Sequence, residues 1–237
     1  MLATLPLLWL LLAHERGTPA PKPDPNPAAH ETRDVEGWTV RIDRRLLAGE
    51  EAALGAKAVA ILRGQLLLVG MMLPADRLAK LRGVPIQLDL SCGDLKSAQY
   101  HPSLGWLRER GYAAKLAKTV HVPDAREFVR PRLQRHQPWM VMHELAHAYH
   151  DQVLGFGHAG VKAEWKKFAA NGKHKETLHV DGKKREHYAL TNEKEFFAEM
   201  TEAYVGRNDF HPFNAAELAR DEPEIFRLMK EIWGPLP

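Results

Sequence analysis

The residues best suited to do chemistry are His143, Glu144 and His147, in the run His143-Glu144-Leu145-Ala146-His147. On a helix, positions four apart lie on one face about one turn apart, so both imidazoles can reach a single ion at about 2 Å. Glu144 falls beside that face, close to the ion without binding it, where it can take a proton from a metal-bound water. The ion lowers that water's pKa toward about 7 and polarises a carbonyl under attack. The surrounding stretch, Trp139 to His150, is apolar on most sides. Two histidines and a glutamate are costly to bury there without a partner.

A catalytic zinc site needs three protein ligands and one open position. The longer pattern with a Gly and a third His after the motif is absent, because His150 and Val153 occupy those places. His150 falls near the ligand face, but a helix-end histidine is the plainer reading. The run Thr191-Asn192-Glu193-Lys194-Glu195-Phe196-Phe197-Ala198-Glu199 supplies carboxylates instead. Glu195 and Glu199 are four apart and share a face, while Phe196 and Phe197 mark a helix packed into the core. The simplest arrangement puts Glu195 on the metal and lets Glu199 hold a ligand histidine through its other ring nitrogen.

The combination of H-E-L-A-H, then Tyr188, then T-N-E-K-E-F-F-A-E resembles the catalytic domain of the anthrax lethal factor family of zinc endopeptidases. The match covers residues 138–205. The resemblance implies that His143, His147 and Glu195 bind one Zn2+ and that Glu144 is the general base. It also implies that Tyr188 assists the transition state, as a phenol near the metal can donate to a developing oxyanion or to the leaving amine. The partner it implies is a protein or peptide substrate. The family's cleavage preference and toxin role are not carried over, and residues 35–137 show no matching motif.

Other candidates have plainer readings. His101, in Tyr100-His101-Pro102, is either a cleft residue or a structural hydrogen-bonding one, and the latter is favoured. Cys92 is the sole cysteine, which excludes an intramolecular disulfide and leaves His and carboxylate as the expected metal ligands. Residues 161–187 hold eight Lys/Arg against four Asp/Glu. Such a run can select an acidic substrate or an anionic surface, but a solvated face is favoured. The net charge of +3 is too small to indicate nucleic acid. Two rivals to a peptidase are a non-catalytic binding module of the same fold and a basic surface-binding protein. Glu144 and Tyr188 count against the first, because a structural metal site needs neither.

The elements that must position these residues follow from periodicity. Trp38–Ile42 alternates as a strand, and apolar residues at three- and four-residue spacing predict a long helix over 50–72. Pro74 opens a short helix to Leu81. Val84–Leu90 and Val120–Val122 read as strands. Helices are expected over 138–154, closed by Gly155, then 192–204 and 215–233, with 161–187 as a partly helical surface insertion. Strands and helices first, helices last, predict an α+β fold, with a zincin-like layout of central helix and small sheet. Within that layout an edge strand would pair with a substrate backbone. The domain is expected at 35–237, after a Pro-rich linker at 18–34 and a signal segment at 1–17. The apolar run Leu5–Ala13 is too short to span a bilayer, so no transmembrane span is expected and the chain reads as secreted or envelope-bound, with a cytoplasmic protein as the alternative.

Overall fold

The structure, a computed structural model, describes residues 26, 27 and 29–237. The signal segment and most of the Pro-rich stretch lie outside the described residues. The linker reading extends too far at its C-terminal end, because β1 already occupies His30–Val35. It pairs antiparallel with β2 (Trp38–Asp43) from His30↔Asp43 to Val35↔Trp38. The two-residue turn between them, Glu36 and Gly37, has φ of 54° and 87°. Positive φ at both central residues is what a tight right-twisted hairpin requires.

Three more strands complete the main sheet: β3 (Ile86–Leu88), β4 (Gln99–Tyr100) and β5 (Val120–Val122). The order is β1-β2-β3-β5-β4, parallel at β2–β3 and β3–β5 and antiparallel at the two ends. Alternation gives the sheet two characters. Val40, Ile42, Ile86, Leu88, Val120 and Val122 point into the apolar core. Arg41, Gln87, His121 and Gln99 are register partners across four strands and form a polar row on the opposite face. Thus β4 is an edge strand, short and next to the helices that carry the candidate ligands.

The helix α1 (Ala52–Met72) buries Ala58, Leu62, Leu66 and Val69 completely in the same core. The stretch Gly49–Met72 contains an 18-residue window of mean hydropathy 1.6 and is long enough to cross a bilayer. Its inner face is used in packing, whereas Leu67, Leu68 and Met71 face outward. Then come α2 (Ala75–Arg82), α3 (Leu104–Glu109), α4 (Ala125–Phe128) and α5 (Pro131–His136). The central helix α6 (Met140–Tyr149) packs against α1, β4 and the later α8 (Glu193–Val205). Beyond Tyr149 the chain makes one wider turn over His150–Leu154 and stops at Gly155, φ 77°.

The expectation of a surface insertion over 161–187 is only partly right. Here α7 (Ala159–Ala170) buries Val161 and Phe168 against α8 and the C-terminal helices, so its inner face belongs to the core. A small hairpin of β6 (Thr177–Leu178) and β7 (Lys184–Arg185) follows. The single last helix expected over 215–233 is two, α9 (Ala215–Asp221) and α10 (Pro223–Trp233). Pro223 has no N–H to continue α9 and forces Glu222 to φ −136°, ψ 63°, while suiting the first turn of α10. The α+β class is what the structure shows.

Two site-bearing helices meet at a point that admits no side chain. Gly206 caps α8 one turn beyond Glu202, and Trp139 precedes α6 one turn before His143. A Cβ on Gly206 would fall 2.0 Å from the Trp139 indole.

Candidate metal centre

Each candidate ligand is placed by its own helix. Asn192 caps α8 by accepting from the N–H groups of Lys194 and Glu195, which fixes where the helix starts. Glu195 therefore sits in the first turn, at the mouth of a cleft. On α6, His143 and His147 share one face, their rings 4.8 Å apart. His143 Nε2 lies 3.2 Å and His147 Nε2 3.3 Å from the same oxygen, Glu195 Oε2. The three ligand atoms lie within 4.8 Å of one another. Burial would raise the Glu195 carboxyl, but hydrogen bonds with the two histidines outweigh it and hold the group well below the usual carboxylate range. An anionic oxygen between two imidazole nitrogens is a donor set able to hold a divalent cation.

The supporting carboxylate is not the expected one. His143 Nδ1 bonds Glu202 Oε1 at 2.7 Å, while Glu199 Oε1 stands 3.7 Å away. Glu202 is seven residues from Glu195 and occupies the same helix face two turns on, so the geometry favours it for the ring-orienting role assigned to Glu199. Glu199 lies between His143 and the buried His187, 3.8 Å from His187 Nδ1. Burial first, then repulsion from Asp209 and Glu202, pushes the Glu199 carboxyl far up. The Glu202 signal was present as a third Glu at helical spacing, just past the motif that draws attention.

Glu144 is buried at the cleft floor and accepts a 2.7 Å hydrogen bond from the backbone N–H of Tyr100 in β4. Burial raises its pKa, against the pull of His147 and His143. A carboxylate with a raised pKa is a stronger base than a free one. Tyr188 is half exposed, its ring 6.4 Å from that of His143, and it lines the same cleft. Burial, then the nearby Glu195, raises its phenol. It opens a short 3-10 turn that the buried His187 side chain caps through the Ala189 N–H. The cleft encloses about 360 Å³ between β4, α6 and α8, with Met140 and Gln137 at one end and Phe156 and Lys194 at the other.

The remaining histidines go elsewhere. His150 is fully buried between Phe156 and Phe197, burial pushes its pKa down to about 4, and neither ring nitrogen has a partner among the described residues. It is outside the ligand cluster. His101 is buried and shares a 3.1 Å hydrogen bond with His121 Nδ1. That bond belongs to a second cluster on the polar face of the sheet. His121 Nε2 and His30 Nε2 bond Asp89 at 2.8 and 2.6 Å, and Gln87 Nε2 donates to Asp89 at 2.8 Å. Cys92 is buried there too, and its sulfur lies within 4.8 Å of ligand atoms of Asp89 and His121. A sulfur-containing donor set was not among the expected ones. Asp89 and His121 already bond each other and their neighbours, which sets this cluster apart from the open one. No protein-family model, curated protein or solved structure matches the chain.

Proposed function

We propose that the chain is a zinc-dependent peptidase, with a zincin-like catalytic domain formed by the sheet, α6 and α8. The observation that carries this reading is the convergence of His143 and His147 Nε2 on one Glu195 oxygen, with Glu144 beside them in an open cleft. Two imidazoles, one carboxylate and an open side match the ligand count and chemistry of catalytic zinc. A bound ion supplies Lewis acidity, polarising the scissile carbonyl and acidifying a water. The rest falls to the chain. Glu144, desolvated and steered by the Tyr100 N–H, accepts the proton of the attacking water and returns it to the leaving nitrogen. Tyr188 lines the same cleft with its ring 6.4 Å from that of His143, and its phenol donates to the developing oxyanion. Glu202 orients His143, so that its Nε2 faces the cleft. β4 presents the edge along which an extended peptide adds as a further strand.

Two measurements test this reading together. Purified protein is analysed for metal, and a peptide library is digested with wild type and with Glu144→Ala. One equivalent of zinc, lost on mutating His143, and cleavage abolished by Glu144→Ala are expected. Below about half an equivalent, unaltered by the His143 change, the ligand assignment fails. Intact zinc without cleavage of any library peptide would favour a binding module.

A further inference from the structure

The basic segments left over by the proposed function meet in one place. At the Gln137 end of the cleft a second groove begins, of about 330 Å³, with Gln137 lining both. Its floor is Leu133, His136, His179 and Asp209, and its basic rim is Arg130, Arg132 and Arg185, with Glu127 beside Arg130. The rim comes from two runs without an acidic residue inside them: 130–136, with Arg130, Arg132 and Arg135, and 183–185, with Lys183, Lys184 and Arg185. Of these six cations, only Arg130 and Arg185 have a carboxylate partner: Glu127 at 2.7 Å and Asp181, respectively. Arg132, Arg135, Lys183 and Lys184 make no ion pair among the described residues. The two carboxylates that line the groove are already engaged by it: Glu127 by Arg130, and Asp209 by Gln137 Nε2 at 3.3 Å and His179 Nε2 at 3.6 Å. Of the four unpaired cations Arg132 lines the groove itself, whereas Arg135, Lys183 and Lys184, like Glu186, are sequence neighbours of lining residues.

We propose that this groove binds Asp or Glu side chains of the peptide lying in the cleft, making the enzyme selective for acidic sequences on that side. The inference rests on the peptidase reading for its catalytic consequence. Guanidinium groups on a concave rim suit carboxylates, which they can engage in paired hydrogen bonds. The volume admits one or two side chains, and the groove meets the cleft at Gln137, which fits a peptide. A nucleic acid would need a longer phosphate-tracking stripe.

The test has a catalytic and a binding arm. In the first, the zinc-loaded chain digests a random peptide mixture and mass spectrometry locates the cuts. Asp and Glu should be enriched up to about fivefold at one or two positions on a single side of the cut, as expected for exposed charge pairs. The enrichment should vanish in Arg132→Glu/Arg185→Glu and weaken between about 50 and about 500 mM salt, while cutting of peptides without acidic residues persists. Cleavage without enrichment, or enrichment unchanged in the double variant, overturns the proposal. In the second arm, Glu144→Gln protein is titrated with a labelled Asp/Glu-rich peptide and its Asn/Gln counterpart. Tighter binding of the acidic peptide supports the groove even if no peptide is cut, in which case only the peptidase reading falls. Equal binding, or stronger binding to single-stranded DNA or phosphatidylserine vesicles, overturns the proposal.

Discussion

The cleft and the polar face of the sheet each hold imidazoles against carboxylates, and they are finished differently. On the sheet, Asp89 and His121 are fully buried. Both Asp89 oxygens are taken by His30, His121 and Gln87, and the second nitrogen of His121 meets His101. Lys115 Nζ lies 3.2 Å from the remaining nitrogen of His30. In the cleft, His143 and His147 are 12% and 13% exposed at the side chain, and their nitrogens converge on one oxygen. Behind them Glu199, Glu202 and Asp209 each keep a buried oxygen without a partner among the described residues. The same residue types therefore do opposite things. A cluster whose imidazoles and carboxylate are matched to one another, with only Gln87 Oε1 left over, stabilises the fold, whereas one with converging lone pairs at an opening can act on a ligand.

That contrast can be broken by substitution. The largest effect is expected from Glu144→Gln, which should lower kcat/KM on a cleaved library peptide by about 10³-fold while zinc content stays at the wild-type value. If activity survives, the open cluster does not work as proposed. Asp89→Asn should do the reverse. Removing one charge from a buried hydrogen-bonded set costs on the order of 3 kcal/mol, read from urea unfolding, with zinc content unaltered. A loss of zinc in that variant would erase the distinction between the clusters. Glu202→Gln tests the support of His143 and should weaken zinc binding about 10- to 100-fold in a competition titration, with Glu199→Gln producing a smaller change. The opposite ranking would return the orienting role to Glu199.

The smallest effect concerns pH. Burial, reinforced by His121, pushes the His101 imidazole down to about 3, so it stays neutral in the fold. The unfolded chain takes up that proton below about pH 6.5, so acidification destabilises the fold from there downward. Burial opposes the charge on Asp89, but hydrogen bonds from His121 and His30 outweigh it and hold the carboxyl at about 2. Its contribution is complete above about pH 4 and is lost as pH falls toward 2. Unfolding midpoints in urea should fall in both windows, and His101→Gln should make the first one shallower without flattening it, because the buried His150, pushed down to about 4, acts in the same window. A pH profile unchanged by that substitution would remove His101 from the account.

Much of the open cluster was legible because it is local. His143, Glu144 and His147 are held by the helical repeat alone, and Asn192 marks the start of α8 by its capping chemistry. Glu202 shares that repeat and was missed only because it lies three residues past the T-N-E-K-E-F-F-A-E run that drew attention. The closed cluster draws on four separate stretches, at His30, Asp89, His101 and His121. No spacing within a stretch predicts that the sheet register will bring them together. β1 was hidden for a related reason: His-Glu-Thr-Arg-Asp-Val has almost no apolar alternation, and its pairing with β2 depends on the Glu36-Gly37 turn. The break between α9 and α10 had a local sign in Pro223, which the continuous apolar periodicity on either side masked.

The contact of Gly206 with Trp139 makes the spacing of α6 and α8 depend on an absent atom. Everything the proposed centre needs from α8, Glu195 at its first turn and Glu202 near its last, is referred to α6 through that contact. A methyl group at position 206 would act as a wedge, prising the third ligand and the histidine's support away from the other two ligands without altering any residue that touches the metal. The geometry of the site is thus set in part from outside the cleft, by a residue that has no chemistry of its own.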